Sequence, residues 1–469
     1  MVGEERHGKA AHVARRIEAD VIRRGWPVGA SLGSEQELQQ QYQVSRSVLR
    51  EAVRLVEHHQ VARMRRGPGG GLIVTAPDAG PATRAVVLYL EYLGFSIDEL
   101  LAARVLLEPL AARLAAGSID EAGITRLRNT VGGGLPRHSS EDFHVMLAES
   151  AGNPVLALFI DVLIRLTARY AVQSQPPQAH IGAAISQLAV DHAGIVEAVT
   201  AGDGARAQTL TEHHVQAVAG WLDKHHRPQL RRGIADRGVE TTAPKKKMAE
   251  VLATAIHDDI VSDGWPVGAA LGTEVELLQH YRVSRSVLRE ALRILEYHGI
   301  ARARRGPGGG LFVTEPGQQA SVDAVALYLE YRRPTRADLS LVRDAIEVNN
   351  VAHVVRRRGS AEVAGFLAAH TAVAGDGRDP HKAGLAEFFF HTDLAELAGN
   401  RVLNLFLRIL IELFGRHWGS TMDPMPGPDD AADVYRAHAR IVEAIRDGDT
   451  SIARHRSRRH LEALSSWWG

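Results

Sequence analysis

The chain of 469 residues contains no cysteine. Disulfides, thiolate chemistry and cysteine-based zinc sites are therefore excluded, and any metal ion must be bound by histidine nitrogens and carboxylate oxygens. Aromatic residues are also scarce, at 5% of the chain against 45% for all hydrophobic residues. The core must therefore consist mainly of Leu, Val and Ala, a composition that favours helices.

An excess of charge of either sign is missing as well, because 55 Lys and Arg residues balance 55 Asp and Glu residues. The strongly basic balance of a non-specific, architectural DNA-binding protein is thus absent, and any basic surface must be local. The first residues, MVGEERHGKAAHVARR, lack the apolar segment of a signal peptide, and no apolar run approaches about 18 residues. We therefore expect a cytoplasmic protein that does not associate with membranes.

The sequence repeats itself. GWPVGASLGSEQEL begins at Gly25 and GWPVGAALGTEVEL at Gly264, an offset of 239 residues (264 − 25). A weaker match aligns FHVMLAESAGN, which contains His144, with FHTDLAELAGN, which contains His391, at an offset of 247 (391 − 144). The segment DKHHRPQLRRGIADRGVETTAPKKK between the copies is polar and without apolar periodicity, which is typical of a linker. The chain is therefore a tandem duplication.

The first part of each copy predicts a winged helix-turn-helix. Ser34 and Glu37 form a capping-box pattern before the helix EQELQQQY, and Ser45 precedes a third helix whose apolar residues recur at helical spacing. ARMRRGPGGGLIVT then predicts a β-hairpin around a glycine-rich turn. Three helices and a hairpin wing indicate a DNA-binding module.

The second part of each copy has 3.6-residue apolar periodicity throughout and predicts an all-α bundle. The fold class is therefore mainly α. The predicted domains are a winged helix-turn-helix at 8–76, a bundle at 80–226, a linker at 227–245, a second winged helix-turn-helix at 246–315 and a second bundle at 319–469.

Arginines on the outer side of the third helix and in the wing form the predicted DNA-reading face of each copy. Arginine suits this role because its planar fork bonds phosphate or guanine with two hydrogen bonds. The predicted DNA-binding residues are Arg46, Ser47, Arg50, Arg54, Arg65, Arg66 and Gly69 in the first copy, and Arg285, Ser286, Arg289, Arg293, Arg304, Arg305 and Gly308 in the second. The alternative is a solvated basic helix beside a flexible loop, but the repetition of the pattern favours DNA.

At these residues the chain resembles the GntR family of bacterial regulators. SEQELQQQYQVSRSVLREAVRLVE and TEVELLQHYRVSRSVLREALRILE both match the pattern of its N-terminal module. The bundles resemble the FadR-type C-terminal domain, the FCD domain, through Phe143–Asn153 and Phe390–Asn400. The resemblance implies six or seven helices per bundle and the sensing of a small molecule. Family members often carry Arg where this chain has Gln36 and Val275, so one DNA contact is expected to be absent in each copy.

The resemblance also implies a metal site in each bundle, because a FadR-type subgroup binds metal through three histidines and a carboxylate. The matching residues are His144, His192 and His214 in the first copy, and Glu387, His391, His438 and His460 in the second. Such ligands suit Zn, Ni or Mn. Ser140 stands where the first copy's carboxylate is expected, so metal is more strongly expected in the second copy. The alternative is that the histidines only line a pocket or support the core.

Arg104 and Arg343 occupy equivalent places in RVLLE and RDAIE. They are candidates to bind a carboxylate effector, with a salt bridge on the helix as the alternative.

Together these features predict a ligand-responsive transcriptional regulator that reads a two-half-site DNA operator as an internal pseudo-dimer. Whether it represses or activates, and whether two chains form a homodimer, is left open. The alternative from another class is a metal-dependent hydrolase or lyase that uses the three-histidine site. No general base is evident beside the histidines, and catalysis has no need of two basic modules. We therefore expect a protein that is not an enzyme.

Overall fold

The computed structural model describes residues 2–67, 70–132, 139–173, 178–225, 245–304, 306, 308–371, 380–420 and 428–467. These residues form two units. One contains residues up to 86 together with 319–335, and the other contains 87–318 and 336–469. The predicted linker 227–245 falls outside the described residues except for Lys245, where a helix begins. None of the described helices is long and apolar enough to cross a membrane.

Winged module 1 has the predicted three helices and hairpin. Its elements are α1 Val2–Arg23, α2 Glu35–Tyr42, α3 Arg46–His58, β1 Ala62–Arg65 and β2 Gly71–Val74. Helix α2 covers the predicted EQELQQQY, and Ser34 and Glu37 form the predicted capping box at its start. The side chain of Ser45 caps α3 by accepting a hydrogen bond from the Val48 amide. The local signals in the sequence therefore set the start of both helices.

Winged module 2 repeats this order with one more strand. The elements of the module are α11 Lys245–Ser262, β3 Ala270–Gly272, α12 Glu274–Tyr281, α13 Arg285–Tyr297, β4 Ala301–Arg304 and β5 Gly310–Val313. The strand order is β3-β5-β4, all antiparallel. In module 1 the equivalent of β3 is a single bridge between Ser31 and Ile73. This third strand was not predicted, since a pairing of three residues leaves too short a pattern to recognise.

Within the described residues, each half also contains a bundle of six helices. Bundle 1 consists of α5 Ile97–Ser118, α6 Glu121–Gly132, α7 Ser139–Ser150, α8 Pro154–Gln173, α9 Gln178–Thr200 and α10 Gly204–His225. Bundle 2 consists of α15 Arg336–Arg356, α16 Ala361–Thr371, α17 Pro380–Ala398, α18 Arg401–Ser420, α19 Pro428–Asp447 and α20 Thr450–Trp467. Helix α5 contacts α7, α8, α9 and α10, and α15 contacts α17, α18, α19 and α20. The first helix of each bundle is therefore its central element.

Two connecting helices, α4 Gly80–Leu93 and α14 Gln318–Arg332, follow the winged modules in the chain. In the first unit Leu327 of α14 belongs to the core of module 1, and the ring of Tyr331 lies 5.3 Å from that of Trp26. In the second unit Tyr92 of α4 packs on the core of module 2, with its ring 5.9 Å from that of Trp265. Each winged module is thus covered by the helix that follows the other module.

The two bundles meet through equivalent residues within the second unit. The side-chain amide of Asn153 donates to the Asp338 carbonyl over 3.0 Å, and that of Asn400 donates to the Glu99 carbonyl over 2.9 Å. Because the repeat relates Asn153 to Asn400 and Glu99 to Asp338, each contact is the counterpart of the other. Such reciprocal pairing is the pattern of an isologous, two-fold interface.

Candidate DNA-reading faces and metal centres

The inner side of α3 is fixed by apolar packing. Five of its predicted inward residues are buried, namely Val48, Leu49, Ala52, Val53 and Val56, and Leu55 is half-buried against the same core. The predicted outward residues Arg46, Ser47, Arg50 and Arg54 are all exposed. Burial of one side of the amphipathic helix therefore turns the arginines to solvent.

A glutamate of α2 joins these arginines in module 1. The Nε atoms of Arg46 and Arg50 lie 3.0 and 2.8 Å from Oε1 of Glu35. Hydrogen bonds from the two guanidinium groups lower the pKa of Glu35 below its ordinary value. The arginine side chains are therefore held side by side, an arrangement that sequence reasoning missed.

Module 2 presents the equivalent arginines on α13, at longer distances from the glutamate of the preceding helix. Arg285 and Arg289 lie 3.9 and 3.4 Å from Glu274, and Arg293 lies 3.1 Å from Glu290. Ser286 is exposed, and its hydroxyl is 3.0 Å from that of Ser284. The described residues of α13 thus present the predicted arginines on one outer face.

The wings carry the remaining predicted DNA contacts. Arg65 and Arg66 are exposed at the end of β1. The guanidinium of Arg304 lies 4.3 Å from the centre of the Phe312 ring, and Gly308 has φ +73°, a conformation that favours glycine. Gly69 and Arg305 lie outside the described residues.

Three histidines and a glutamate converge in bundle 2. Oε1 of Glu387 is 2.8 Å from Nε2 of His391, and its Oε2 is 2.9 Å from Nε2 of His438 and 3.1 Å from Nε2 of His460. Nε2 of His460 is 3.2 Å from that of His438 and 3.3 Å from that of His391. All three histidines are buried. The predicted set therefore lies together.

The chemistry of these atoms fits a cation. Nδ1 of His391 faces the buried carboxylate of Glu347, so a neutral imidazole that donates there leaves a lone pair on Nε2, facing Glu387. Two acceptors at that distance repel each other unless a metal ion or a proton lies between them. Nitrogens bound to one metal at ~2.1 Å lie about 3.0–3.4 Å apart, depending on the coordination angle. The spacing in bundle 2 matches this range.

Without a metal ion, a proton lies between Nε2 of His391 and the Glu387 carboxylate. Burial lowers the pKa of His391, but the carboxylates of Glu347 and Glu387 outweigh burial and raise it to about 10. Burial lowers the pKa of His438 to about 4. One imidazole of the set is therefore protonated at neutral pH when no metal is bound, and another is neutral.

Bundle 1 brings together its three predicted histidines without a described carboxylate among their Nε2 atoms. Nε2 of His214 lies 3.2 Å from that of His192 and 3.4 Å from that of His144. Nδ1 of His144 faces Glu108 at 2.7 Å, and Nδ1 of His214 faces Asp191 at 3.2 Å. Nε2 lone pairs therefore converge here too, and the donor set fits a metal ion with one anionic ligand fewer.

Burial keeps two of these imidazoles neutral. Burial lowers the pKa of His192 to about 2 and that of His214 to about 4. The ring of His192 also stacks on Phe143, with ring centres 3.9 Å apart. The side chain of Ser140, at the position of the expected carboxylate, lies outside the described residues.

A cavity of about 360 Å³ opens beside the histidines of bundle 1. Apolar side chains of α8, α9 and α10 form most of its wall, among them Ile164, Leu188 and Trp221, and Arg104 and His144 contribute charged or polar groups. Thr167 also lines it. The repeat places Phe414 at the equivalent position of bundle 2, where the guanidinium of Arg343 lies 4.8 Å from the ring centre. The two bundles therefore differ beside their histidine clusters.

Comparison with known proteins gives two family models, each matched twice. The model of bacterial regulatory proteins of the gntR family matches residues 9–71 and 248–313, and the FCD domain matches residues 99–217 and 338–463. The chain belongs to the GntR family. It carries a GntR module and an FCD domain in each of two tandem copies, which confirms the predicted duplication and fold class.

Individual relatives match about half of the chain. The transcriptional repressor NanR of Enterobacter sp. (strain 638) is 24% identical over 246 residues, which are 48% of this chain and 86% of NanR. The transcriptional regulator LutR of Bacillus subtilis is 27% identical over 208 residues, 40% of this chain and 90% of LutR. The solved structure of a GntR protein from Streptococcus agalactiae is 24% identical, covers 45% of this chain and 99% of its own, and has a TM-score of 0.32. The 469-residue chain itself, as a member of the GntR family, is a transcriptional regulator rather than an enzyme.

Sequence reasoning missed the buried glutamates that hold the histidines. Arg104 donates to Glu108, and both side chains are buried. Arg343 lies 3.1 Å from Asp344 and 3.6 Å from Glu347. The signal was present, because an Arg and a Glu four residues apart occur in both RVLLE and RDAIE. The two arginines predicted to bind an effector are thus already paired with carboxylates in the structure.

Proposed function

We propose that one chain of this GntR regulator works as an internal pseudo-dimer that binds a DNA operator with two half-sites. The reciprocal contacts of Asn153 and Asn400 carry this proposal, since each bundle uses the same surface toward the other. Because the two bundles of one chain form the two-fold interface with each other, one chain presents two DNA-reading modules without a second chain. Light scattering of the protein on a two-half-site oligonucleotide tests this. One chain per duplex is expected, and two chains per duplex contradict the proposal.

The DNA contacts are assigned to the exposed arginines and serines of α3 and α13 and to the two wings. Because the two helices present the same Arg-Ser-x-x-Arg face, the two half-sites should be nearly identical in sequence. Selection of bound oligonucleotides from a random pool tests this expectation. Recovery of a single unrepeated motif would mean that only one module reads DNA.

The bundles are proposed to hold a divalent metal, Zn, Ni or Mn, as in the metal-binding FadR subfamily. His391, His438, His460 and Glu387 would hold it in bundle 2, and His144, His192 and His214 in bundle 1. A bound cation would supply positive charge for an anionic effector. Glu108 and Glu347 fix the orientation of the first histidine of each set, through Nδ1.

The effector is proposed to be a small metabolite with a carboxylate, bound in the cavity of bundle 1. The apolar wall suits the body of such a molecule, and the histidine cluster with its cation suits the acidic group. Mass spectrometry of small molecules released from the purified protein tests this. We expect a carboxylate that disappears from the Thr167→Phe variant, whose larger side chain fills the cavity, and persists in the Phe414→Leu variant. A released molecule that is not an acid contradicts the proposed class.

A further inference from the structure

We infer that bundle 1 controls the winged module of the other copy, module 2, through Arg169. The inference rests on the proposed function only in taking the cavity of bundle 1 as the place where an effector acts. It goes further by naming the module that responds and the residue that transmits the change.

Arg169 lies on α8 and joins two other elements. Its Nε is 2.9 Å from Oε1 of Glu91 on α4, and its Nη2 is 2.5 Å from Oδ1 of Asp258 on α11. The other oxygen of Glu91 is 3.1 Å from Nε2 of His257, also on α11. One arginine of bundle 1 is thereby tied to the first helix of module 2, both directly and through Glu91.

One part of this cluster is well shielded from water, whereas Arg169 and Asp258 are 32% and 36% exposed. Glu91 and His257 have side chains only 7% and 6% exposed, and the His257 ring packs edge-on against Trp265 in the module core. Because a buried charge loses more than a surface charge when its partner moves away, a shift of α8 that takes Arg169 from the buried Glu91 disturbs the contact of Glu91 with α11. The connection between α8 and α11 therefore runs mainly through the buried Glu91, since a partly exposed pair such as Arg169–Asp258 contributes less by itself.

The cavity and Arg169 share one stretch of α8. Thr167 and Ala168, just before Arg169, and Ala171, two residues after it, line the cavity. Residues 167–171 span little more than one turn of α8, so Arg169 leaves the helix from the same turn as the cavity residues, on another side. A ligand that moves this stretch must therefore also move the guanidinium that holds α11.

Module 1 does not repeat the two α11 residues of this cluster. The repeat places Glu18 and Ala19 where module 2 has His257 and Asp258. Glu18 instead faces His59 of its own module, at 2.7 Å. The repeat carries Glu330 and Arg416 at the places of Glu91 and Arg169, so the two copies differ in the residues that receive the contact, and we assign the connection to module 2.

The experiment uses the full chain and fills the cavity by mutation, so that no effector is required. Thr167→Phe introduces the residue that bundle 2 carries at this place, and Ala168→Leu is a second filler should the first fail to fold. Each filler is placed in two backgrounds. Arg46→Ala with Arg50→Ala leaves module 2 to read DNA, and Arg285→Ala with Arg289→Ala leaves module 1. Affinity for an oligonucleotide selected by the full chain is measured by fluorescence anisotropy.

Filling the cavity should change the affinity of module 2 by about fivefold or more, the usual lower range of allosteric coupling, and leave module 1 unchanged. Adding Arg169→Ala should abolish the change. Adding Arg165→Ala should preserve it, because Arg165 lies on the same helix but pairs with Asp161 of that same helix rather than with α11. An equal change in both modules, no change in a folded filler variant, or a change that survives Arg169→Ala overturns the inference.

Hydrogen exchange separates this inference from the DNA-binding proposal. Filling the cavity should alter amide exchange in α11 and leave α1 as it is, whether or not DNA is present. If neither background binds DNA but α11 still responds through Arg169, the DNA assignment fails and the connection stands. If both backgrounds bind DNA and α11 does not respond, the connection fails alone.

Discussion

The ring of Phe159 in bundle 1 stacks on the ring of Phe406 in bundle 2, with ring centres 4.0 Å apart and planes 8° from parallel. Both side chains are fully buried. The repeat relates the two residues, so the stack lies where a two-fold axis relating the bundles would pass. In a homodimer, the same phenylalanine from each of two chains would meet at such an axis. In the duplicated chain, Phe159 and Phe406 take these two places.

Truncation of this stack should destabilise the protein strongly. Phe159→Ala and Phe406→Ala should each lower the free energy of unfolding by about 3–5 kcal/mol, because each leaves a cavity in a tightly packed interface. Phe388→Ala is the control, since Phe388 is 46% exposed and its loss should cost far less. Denaturant unfolding measures the difference. Similar midpoints for the three variants would contradict the assigned role of the stack.

Loss of the recognition arginines should weaken sequence-specific DNA binding. Arg46→Ala with Arg50→Ala, and separately Arg285→Ala with Arg289→Ala, should each cost about 1–3 kcal/mol per lost base contact. Arg128→Ala, an exposed arginine of bundle 1, controls for the change of charge. Gel-shift titrations at one fixed salt concentration provide the test, and unchanged affinity in both double variants would remove α3 and α13 as the reading helices.

Metal should be bound unequally by the two bundles. Because bundle 2 adds the Glu387 carboxylate to three imidazoles, His391→Ala should remove more metal than His144→Ala, and Ser140→Asp should strengthen the weaker site. Elemental analysis of the full-length variants after loading with Zn²⁺, Ni²⁺ or Mn²⁺ measures occupancy. If His391→Ala retained as much metal as the unmodified chain with every ion, the histidines would be structural.

Metal binding at bundle 2 should release about one proton at neutral pH. His391 has its pKa raised to about 10 and is protonated below that pH in the metal-free site, so a metal must displace the proton. Affinity should therefore rise as pH increases toward 10. Calorimetric titration of the His144→Ala variant with Zn²⁺ in buffers of different ionisation enthalpy counts the protons. Glu347→Gln, which removes one of the charges that raises this pKa, should reduce the count.

Local signals in the sequence predicted the helices of the winged modules closely. The caps at Ser34 and Ser45 act within one turn, so the residues that decide them are adjacent in the chain. The histidines were identified through the resemblance to the metal-binding FadR subgroup, their repetition strengthened that prediction, and the structure brings both sets together.

Contacts between distant segments escaped prediction. Glu35 reaches Arg50 from another helix, and Arg169 reaches Asp258 across 89 positions. Neither pair is marked by spacing, because only tertiary packing makes the residues neighbours. The roles of the DNA-reading, metal and effector residues stay predictions.

The exchange of α4 and α14 has a consequence for how such a gene can evolve. Each repeat contributes the helix that shields the tryptophan of the other repeat, Trp26 or Trp265. A gene that lost either repeat would encode a fragment with an uncovered aromatic surface, prone to pair with another fragment. The two repeats can therefore diverge in their cavities and metal ligands, but a single repeat would depend on a second copy to cover its tryptophan.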